Sequence, residues 1–301
     1  MEQFSYQVGV GEEERLDKSL SKAVPDLSRS YIQKCIMEGL ALVNGKPCKA
    51  NFRLRVDDEV AFRIPEAVEP TIAAENIPLS VLYEDEDVLV VDKPKGMVVH
   101  PAPGHYSGTL VNAALYHCRG QLSGINGVLR PGIVHRIDRD TTGSLIICKN
   151  DFSHQAVAAQ LKEHSLNRSY RAIVHGVIEE EDGVVNAPIG RDEQNRKRMA
   201  VNQKNGKEAV THYRVLERFR NYTYIECRLE TGRTHQIRVH MTSIGHPLLG
   251  DEVYGQGKSP FQLEGQTLHA YTLGFVHPRT REYTEVTAPL PAYFKHLLEV
   301  L

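Results

Sequence analysis

Two aspartates, Asp138 and Asp140, stand one residue apart in PGIVHRIDRDTTGSLIICKN, residues 131 to 150. Arg136 and Arg139 lie beside them, and apolar runs close the stretch on either side. Packing alone does not choose charge between buried segments, because a buried charge is costly unless it is paired. A carboxylate at such a place can serve as a nucleophile or exchange a proton with a substrate. DRDTT also satisfies a DxDxT pattern, in which one aspartate could attack a phosphoryl group and the other serve as acid and base. That use needs an unbroken apolar strand running into the first aspartate, and His135-Arg136 interrupts it. Asp140 reads as a turn carboxylate accepting backbone N–H bonds, with Thr141, Thr142 and Gly143 as turn residues that aim Asp138.

Other chemistries lack their signatures. There is no Gly-rich phosphate loop, no GxGxxG opening a helix and no GxSxG elbow. His235 and His240 are five apart without a zinc-type partner set, and His100 and His105 flank the loop HPAPGH, so no metal site is expected. Cys35, Cys48, Cys118, Cys148 and Cys227 are scattered and form no CxxC pair, which points to reduced thiols. Cys148, inside an apolar strand pattern, reads as a small core residue.

The elements that must position Asp138 follow from hydrophobic period and turn chemistry. A chain of 301 residues exceeds the usual size of one core, so two domains are expected. No apolar run is long enough to cross a bilayer, and MEQFSYQVGVGEEER has neither a basic start nor an apolar signal core. A cytoplasmic protein with no membrane partner is the expectation. The net charge of −2 conceals local patches: residues 15 to 63 carry ten bases against six acids, and residues 191 to 220 nine against four. Such patches can attract phosphates whatever the net charge.

Near the start, Leu16, Leu20, Ala23 and Val24 recur at helical spacing until Pro25. Ser28 is placed to cap a second helix with Ile32, Cys35 and Ile36 on one face and Gly39 at its end. LALVNGKPCK then reads as a hairpin turning at Asn44-Gly45. The acidic, proline-containing segment 64 to 79 has neither period and reads as a linker. Beyond it, VLYEDEDVLVVDKP predicts two strands around an acidic turn, and GTLVNAALYHC a short helix capped by Thr109. DFSHQAVAAQLKEHS predicts a helix whose core contacts are Phe152, Val157 and Leu161. SYRAIVHGVI, AVTHYRVLERF, YTYIECRLE and TLHAYTLGFVH predict strands. In TGRTHQIRVHMTSIG, Ile237, Met241 and Ile244 share a helix face, with Thr234 as N-cap, Gly245 past the end and Arg233 at the mouth. The expected class is α+β: a mixed, mostly antiparallel sheet domain (80 to 301) preceded by a small α/β-hairpin domain (1 to 63).

ERLDKSL together with LSRSYIQKCIMEGLALVNGK resembles the S4 domain, an RNA-binding module. The resemblance implies that Arg15, Arg29, Lys34 and Lys46 contact RNA, mainly to position it. A helix-hairpin interaction domain is the other reading of the same elements.

The DxDxT pattern resembles the haloacid-dehalogenase superfamily, but the downstream lysine and acidic pair of that family are not evident. A longer resemblance spans residues 80 to 290. VLYEDEDVLVVDKPKGMVVHPAPG, GIVHRIDRDTTG, RSYRAIVHG, APIGRDEQNRKRMAV, AVTHYRVLERF, LETGRTHQIRVHMTSIGHPLLGD and LHAYTLGFVHP are similar, in order, to blocks of the RluA-type pseudouridine synthases, nearest their D-type branch. The resemblance implies isomerisation of uridines in large-subunit (23S) ribosomal RNA after base flipping, and a pseudouridine synthase fold. Nothing is added or removed in that reaction, so no cofactor is implied. Asp138 would be the catalytic aspartate, Arg233 its ion-pair partner, Tyr170 the residue stacked on the uracil, and Arg136 an occupant of the gap left by the flipped nucleotide. Arg196 and Arg198, in GRDEQNRKR, would contact RNA. The family mostly has leucine where Ile137 stands and often lysine where Arg168 stands. A monomer acting on ribosomal RNA is expected; the alternative is a non-catalytic S4-type RNA-binding or ribosome-assembly factor.

Overall fold

The structure, a computed structural model, describes residues 2–25, 29–64, 72–102, 104–125, 130–195, 198–255 and 259–301. Ser28, expected to cap a helix, and Arg196, expected to contact RNA, lie outside the described residues. The chain divides into two compact units, Met1–Glu69 and Pro70–Leu301.

The first unit begins with strand β1 (Glu2–Gln7), followed by helices α1 (Leu16–Ala23) and α2 (Arg29–Met37). Leu16 and Leu20, one turn apart, and Ile32, Cys35 and Ile36 bury the facing sides of the two helices. The hairpin forms where it is expected, as β2 (Ala41–Val43) and β3 (Lys46–Pro47), with Asn44 and Gly45 both at positive φ. In this unit two strands escaped the sequence reading. One is β1; the other is β4 (Glu59–Ile64), where Val60 and Phe62 alternate inward. The four strands run in the order β1-β4-β2-β3, all antiparallel.

In the second unit, β5 (Ser80–Glu84) and β6 (Val88–Lys93) flank the acidic turn. Asp85 makes that turn, its carboxylate accepting the N–H groups of Asp87 and Val88 at 2.8 and 2.9 Å. Helix α3 (Leu110–His117) starts at Thr109 in a reciprocal cap with Asn112. Strand β7 (Thr142–Cys148) is buried along its whole length. Alternate residues of β6 and β7 feed two cores: Leu89, Val91, Leu145 and Ile147 on one face, Val88, Val90, Ile146 and Cys148 on the other. Helix α4 (Asp151–Lys162) is capped by Asn150. Its Val157 is buried as expected, but Phe152 is 49% exposed and lies against Arg279. Ser153, His154 and Val157 make the buried face, and Phe152 lies off it.

The remaining elements are β8 (Asn167–His175), β9 (Asp182–Asn186), β10 (Ile189–Arg191), β11 (Met199–Val201), β12 (Val210–Arg218), β13 (Tyr222–Leu229), α5 (Gln236–Ser243), β14 (Leu268–Val276), β15 (Tyr283–Thr287) and α6 (Ala292–Val300). Of these, β9, β10, β11 and β15 also escaped the sequence reading. Nine strands make one sheet in the order β5-β6-β7-β14-β8-β13-β12-β9, with β15 on β14. Only β7 and β14 pair in parallel among the described strands, so the sheet is mixed and mostly antiparallel. The expected α+β class is what the chain adopts. Among the described residues, no helix is long and apolar enough to cross a membrane.

Candidate active site

Asp138 sits on the loop that enters β7, and its neighbours hold that loop from three sides. Ile137 points into the main core. Lys93, fully buried at the end of β6, donates from Nζ to the carbonyls of Pro94, Met97 and Arg139 at 2.9, 2.8 and 2.8 Å. Burial pushes this ammonium down to about 7, against the pull of Asp140 and Asp138. The Asp138 carbonyl accepts the Thr141 N–H at 3.1 Å, closing a turn. Gly143 then takes φ +108°, where a Cβ would run into the Ala270 carbonyl of β14. Asp140 is held differently from expectation. Its carboxylate is gripped by the adjacent Arg139, Nε and Nη2 at 2.9 and 3.0 Å, rather than by backbone N–H groups.

The arginine on Asp138 is not the expected one. Arg238 Nη1 donates to Asp138 Oδ2 at 2.9 Å. Arg233 turns away, and its Nε donates to the Glu208 carbonyl at 2.8 Å. The helix start explains this. α5 begins at Gln236, with His235 rather than Thr234 as N-cap, so Arg233 precedes the helix while Arg238 lies on its buried flank. A signal was present: with Ile237 and Met241 inward, Arg238 falls three residues before Met241 on the inner side.

Behind Arg238 stands Asp251, whose side chain is completely buried. It accepts from Arg238 Nε and Nη2 at 2.7 and 2.9 Å and from the N–H groups of Val253 and Tyr254 at 2.9 and 3.1 Å. Burial alone would raise the Asp251 carboxyl, but the Arg238 hydrogen bonds carry it below the ordinary range. The Tyr254 hydroxyl accepts the Met199 N–H at 2.9 Å and lies 2.8 Å from His235 Nδ1. With that hydroxyl as donor, the ring proton of His235 sits on Nε2, which is 3.9 Å from Asp138 Oδ1. His235 occupies the left-handed region at φ 58°, a conformation a non-glycine residue keeps only when its surroundings impose it. None of His235, Arg238, Asp251, Tyr254 and Lys93 was singled out from sequence as part of the site.

His235 and Arg238 border an open cleft of about 530 Å³, lined also by Arg136, Asp138, Arg168, Tyr170 and Arg233 among others. The four residues expected at the site thus share one cleft, although Arg233 is not paired with Asp138. Tyr170, on β8, is 6% exposed, and burial raises its phenol. Arg136 is exposed at the rim. The arrangement presents a carboxylate with one oxygen bound and the other open, next to a buried phenol and a wall of cations. It suits attack on, or proton removal from, an electrophilic centre brought to Asp138 Oδ1. Among the described residues, no group of three His, Cys, Asp or Glu side chains is placed to hold a metal ion.

The cations expected to contact RNA fall into two kinds. Arg15 and Arg29 both bind the buried Asp17 at 3.0 and 2.9 Å, with side chains still 43% and 45% exposed. Lys34 faces Glu38 at 3.8 Å, and Lys46 is exposed on the hairpin. Arg198 belongs to the second unit, its guanidinium 5.0 Å from the centre of the Tyr254 ring.

The RNA pseudouridylate synthase family matches residues 87–243, and the S4 domain matches residues 14–60. An uncharacterized RNA pseudouridine synthase of Bacillus subtilis is 53% identical over 96% of this chain and 94% of its own. The ribosomal large subunit pseudouridine synthase D of Zymomonas mobilis is 47% identical over 95% of this chain and 93% of its own. Among solved structures, human RNA pseudouridylate synthase domain containing 1 superposes with a TM-score of 0.58 at 25% identity, over 79% of this chain and 97% of that one.

Proposed function

The chain belongs to the RNA pseudouridylate synthase family, and on that premise we propose that it isomerises uridines of large-subunit ribosomal RNA with Asp138 as the reacting carboxylate. One observation carries the assignment: Asp138 lies in the cleft with Oδ2 bound by Arg238, while Oδ1 accepts no hydrogen bond among the described residues and faces His235 Nε2 at 3.9 Å. Arg238 orients the carboxylate and is itself locked by Asp251, so the reacting group is pre-set before substrate arrives.

The target nucleotide leaves its stack and enters the cleft, a step that costs a few kcal/mol of stacking and is cheaper in an RNA loop. Arg136 at the rim takes the vacated space, and Tyr170 packs on the uracil. The C1′–N1 bond then breaks, and its electron pair stays on N1. Asp138 either bonds to C1′ or takes the C2′ proton, so that a C1′–C2′ double bond forms. The uracil turns and its C5 bonds to C1′; Asp138 leaves, or returns the proton to C2′. Loss of the C5 proton and gain of one at N1 complete pseudouridine. The S4 unit anchors the RNA through Arg15, Arg29, Lys34 and Lys46, with Arg196 and Arg198 contacting it from the second unit.

Tritium release from large-subunit RNA carrying 5-³H-uridine tests this reading. The wild-type protein is expected to release tritium, and Asp138→Asn to release none while binding the RNA with similar affinity. Equal release by both proteins would remove Asp138 from the mechanism; no release by either would favour the non-catalytic RNA-binding factor.

A further inference from the structure

Arg168 is a buried cation that nothing so far explains. Its residue surface is 8% exposed, and its Nε is buried without a hydrogen-bond partner. Among the described residues no carboxylate forms an ion pair with it and no acceptor takes a hydrogen bond from its guanidinium. A guanidinium cannot shed its proton in a protein, so this charge stays inside the molecule uncompensated. Such an arrangement lowers stability and persists only where something else is gained.

Its position identifies the gain. Arg168 and Tyr170 are two residues apart on β8, hence on one face of the strand, and both line the cleft that holds Asp138. Arg168 Nη1 lies where a Cβ on Gly232 would come within 2.9 Å, so the absence of a side chain at 232 leaves room for the guanidinium at the cleft wall. The other cations of the cleft already have work or lie at the rim: Arg238 holds Asp138 and Asp251, Arg233 binds a carbonyl, and Arg136 and Lys162 are exposed. Arg168 alone among them is deep and unpaired.

We propose that Arg168 is a further catalytic residue, binding the uracil oxygen on which negative charge collects when the glycosidic bond breaks. The inference rests on the reading of the cleft as a uridine-isomerising site. When C1′–N1 breaks with its electron pair on N1, the ring becomes an anion delocalised onto its carbonyl oxygens. This holds whether Asp138 bonds to C1′ or takes the C2′ proton. A pre-placed guanidinium with no prior partner stabilises that charge without first giving up another contact. A backbone phosphate is the alternative anion, and rate against affinity and salt dependence separate the two.

The experiment compares wild type, Arg168→Met and Arg168→Lys by single-turnover tritium release from 5-³H-uridine RNA, with RNA affinity and melting temperature measured alongside. Arg168→Met is expected to lower the single-turnover rate constant roughly 10²–10³-fold, the usual scale for one lost oxyanion donor. RNA affinity is expected to change little, and the melting temperature to stay level or rise, because an unpaired buried charge has gone. Arg168→Lys should recover part of the rate, since it restores charge but not the planar fork. A wild-type rate in Arg168→Met overturns the proposal. So does a loss confined to affinity with a shallower salt dependence, which assigns the residue to phosphate. A lowered melting temperature also overturns it, because the guanidinium would then have a partner in the free protein. If the wild-type protein itself releases no tritium, the isomerase reading fails instead.

Discussion

Asp17 in the first unit and Asp138 in the second are both aspartates bound by arginine, yet they are built for opposite ends. Asp17 is fully buried and both its oxygens are occupied: Arg15 Nε and Nη2 at 3.0 Å, Arg29 Nε and Nη2 at 3.2 and 2.9 Å, and Gln33 Nε2 at 2.6 Å. Burial pushes its carboxyl up, but these donors win and bring it down to about 2. Among the described residues Asp138 accepts one side-chain hydrogen bond, from Arg238, and its side chain keeps 16% of its surface open. A carboxylate saturated with donors ties a helix pair together and has nothing left to offer a substrate. One held by a single oxygen is oriented but still reactive. Asp251, saturated like Asp17, stands directly behind Arg238 and locks the guanidinium that holds Asp138.

The sharpest test of that contrast is Arg238→Met. It is expected to cost about 3–5 kcal/mol in urea unfolding, because Asp251 is left as an uncompensated buried charge. It should also lower the tritium-release rate by about 10³-fold or more, as Asp138 loses its orientation. The double variant R238M/D251L should regain most of the stability and none of the rate. Recovery of both would mean that Arg238 serves the fold alone.

A smaller and purely structural effect is expected for Asp17→Asn. The first unit should lose about 2 kcal/mol, since its arginines remain half in water and are not stranded, while turnover at saturating RNA is unchanged. The sign with pH follows from the depressed carboxyl. The stability that Asp17 contributes is complete above its ordinary value of 3.8 and is lost as pH falls through about 2. Acid unfolding of the wild-type first unit should therefore show a slope in that window that Asp17→Asn lacks. A catalytic deficit in this variant would join the two regions that the comparison separates.

The smallest effect is expected at the arginine that the motif alone would have chosen. Arg233→Met removes a contact to one carbonyl, so the rate should stay within about threefold of wild type. A loss as large as that of Arg238→Met would show that Arg233 swings onto Asp138 when RNA is bound.

Much of the scaffold was legible because local rules govern it. The Asn44-Gly45 hairpin, the Thr109 cap and the helix of Leu16 and Leu20 each follow from a few adjacent residues. β1 escaped notice because a strand at a sheet edge needs only a partner, and β4 supplies it from more than fifty residues away. Phe152 was misplaced because its side chain meets Arg279 at the surface, a contact that no helical period encodes.

By itself, the sequence marked Asp138 as a carboxylate in a turn between apolar runs with arginines close by, and the family resemblance of the blocks around it singled it out as the candidate reacting group. The same resemblance put Tyr170 and Arg233 in its neighbourhood, and all three line one cleft, but it named Arg233 as the ion-pair partner. Only the tertiary structure decided which arginine. α5 begins one residue later than the cap pattern implies, and that offset sends Arg238 to Asp138 and Arg233 to a carbonyl. It also decided that Arg168 has no partner. Pairing and burial depend on what other strands and helices bring within about 4 Å, and a linear pattern does not contain that distance.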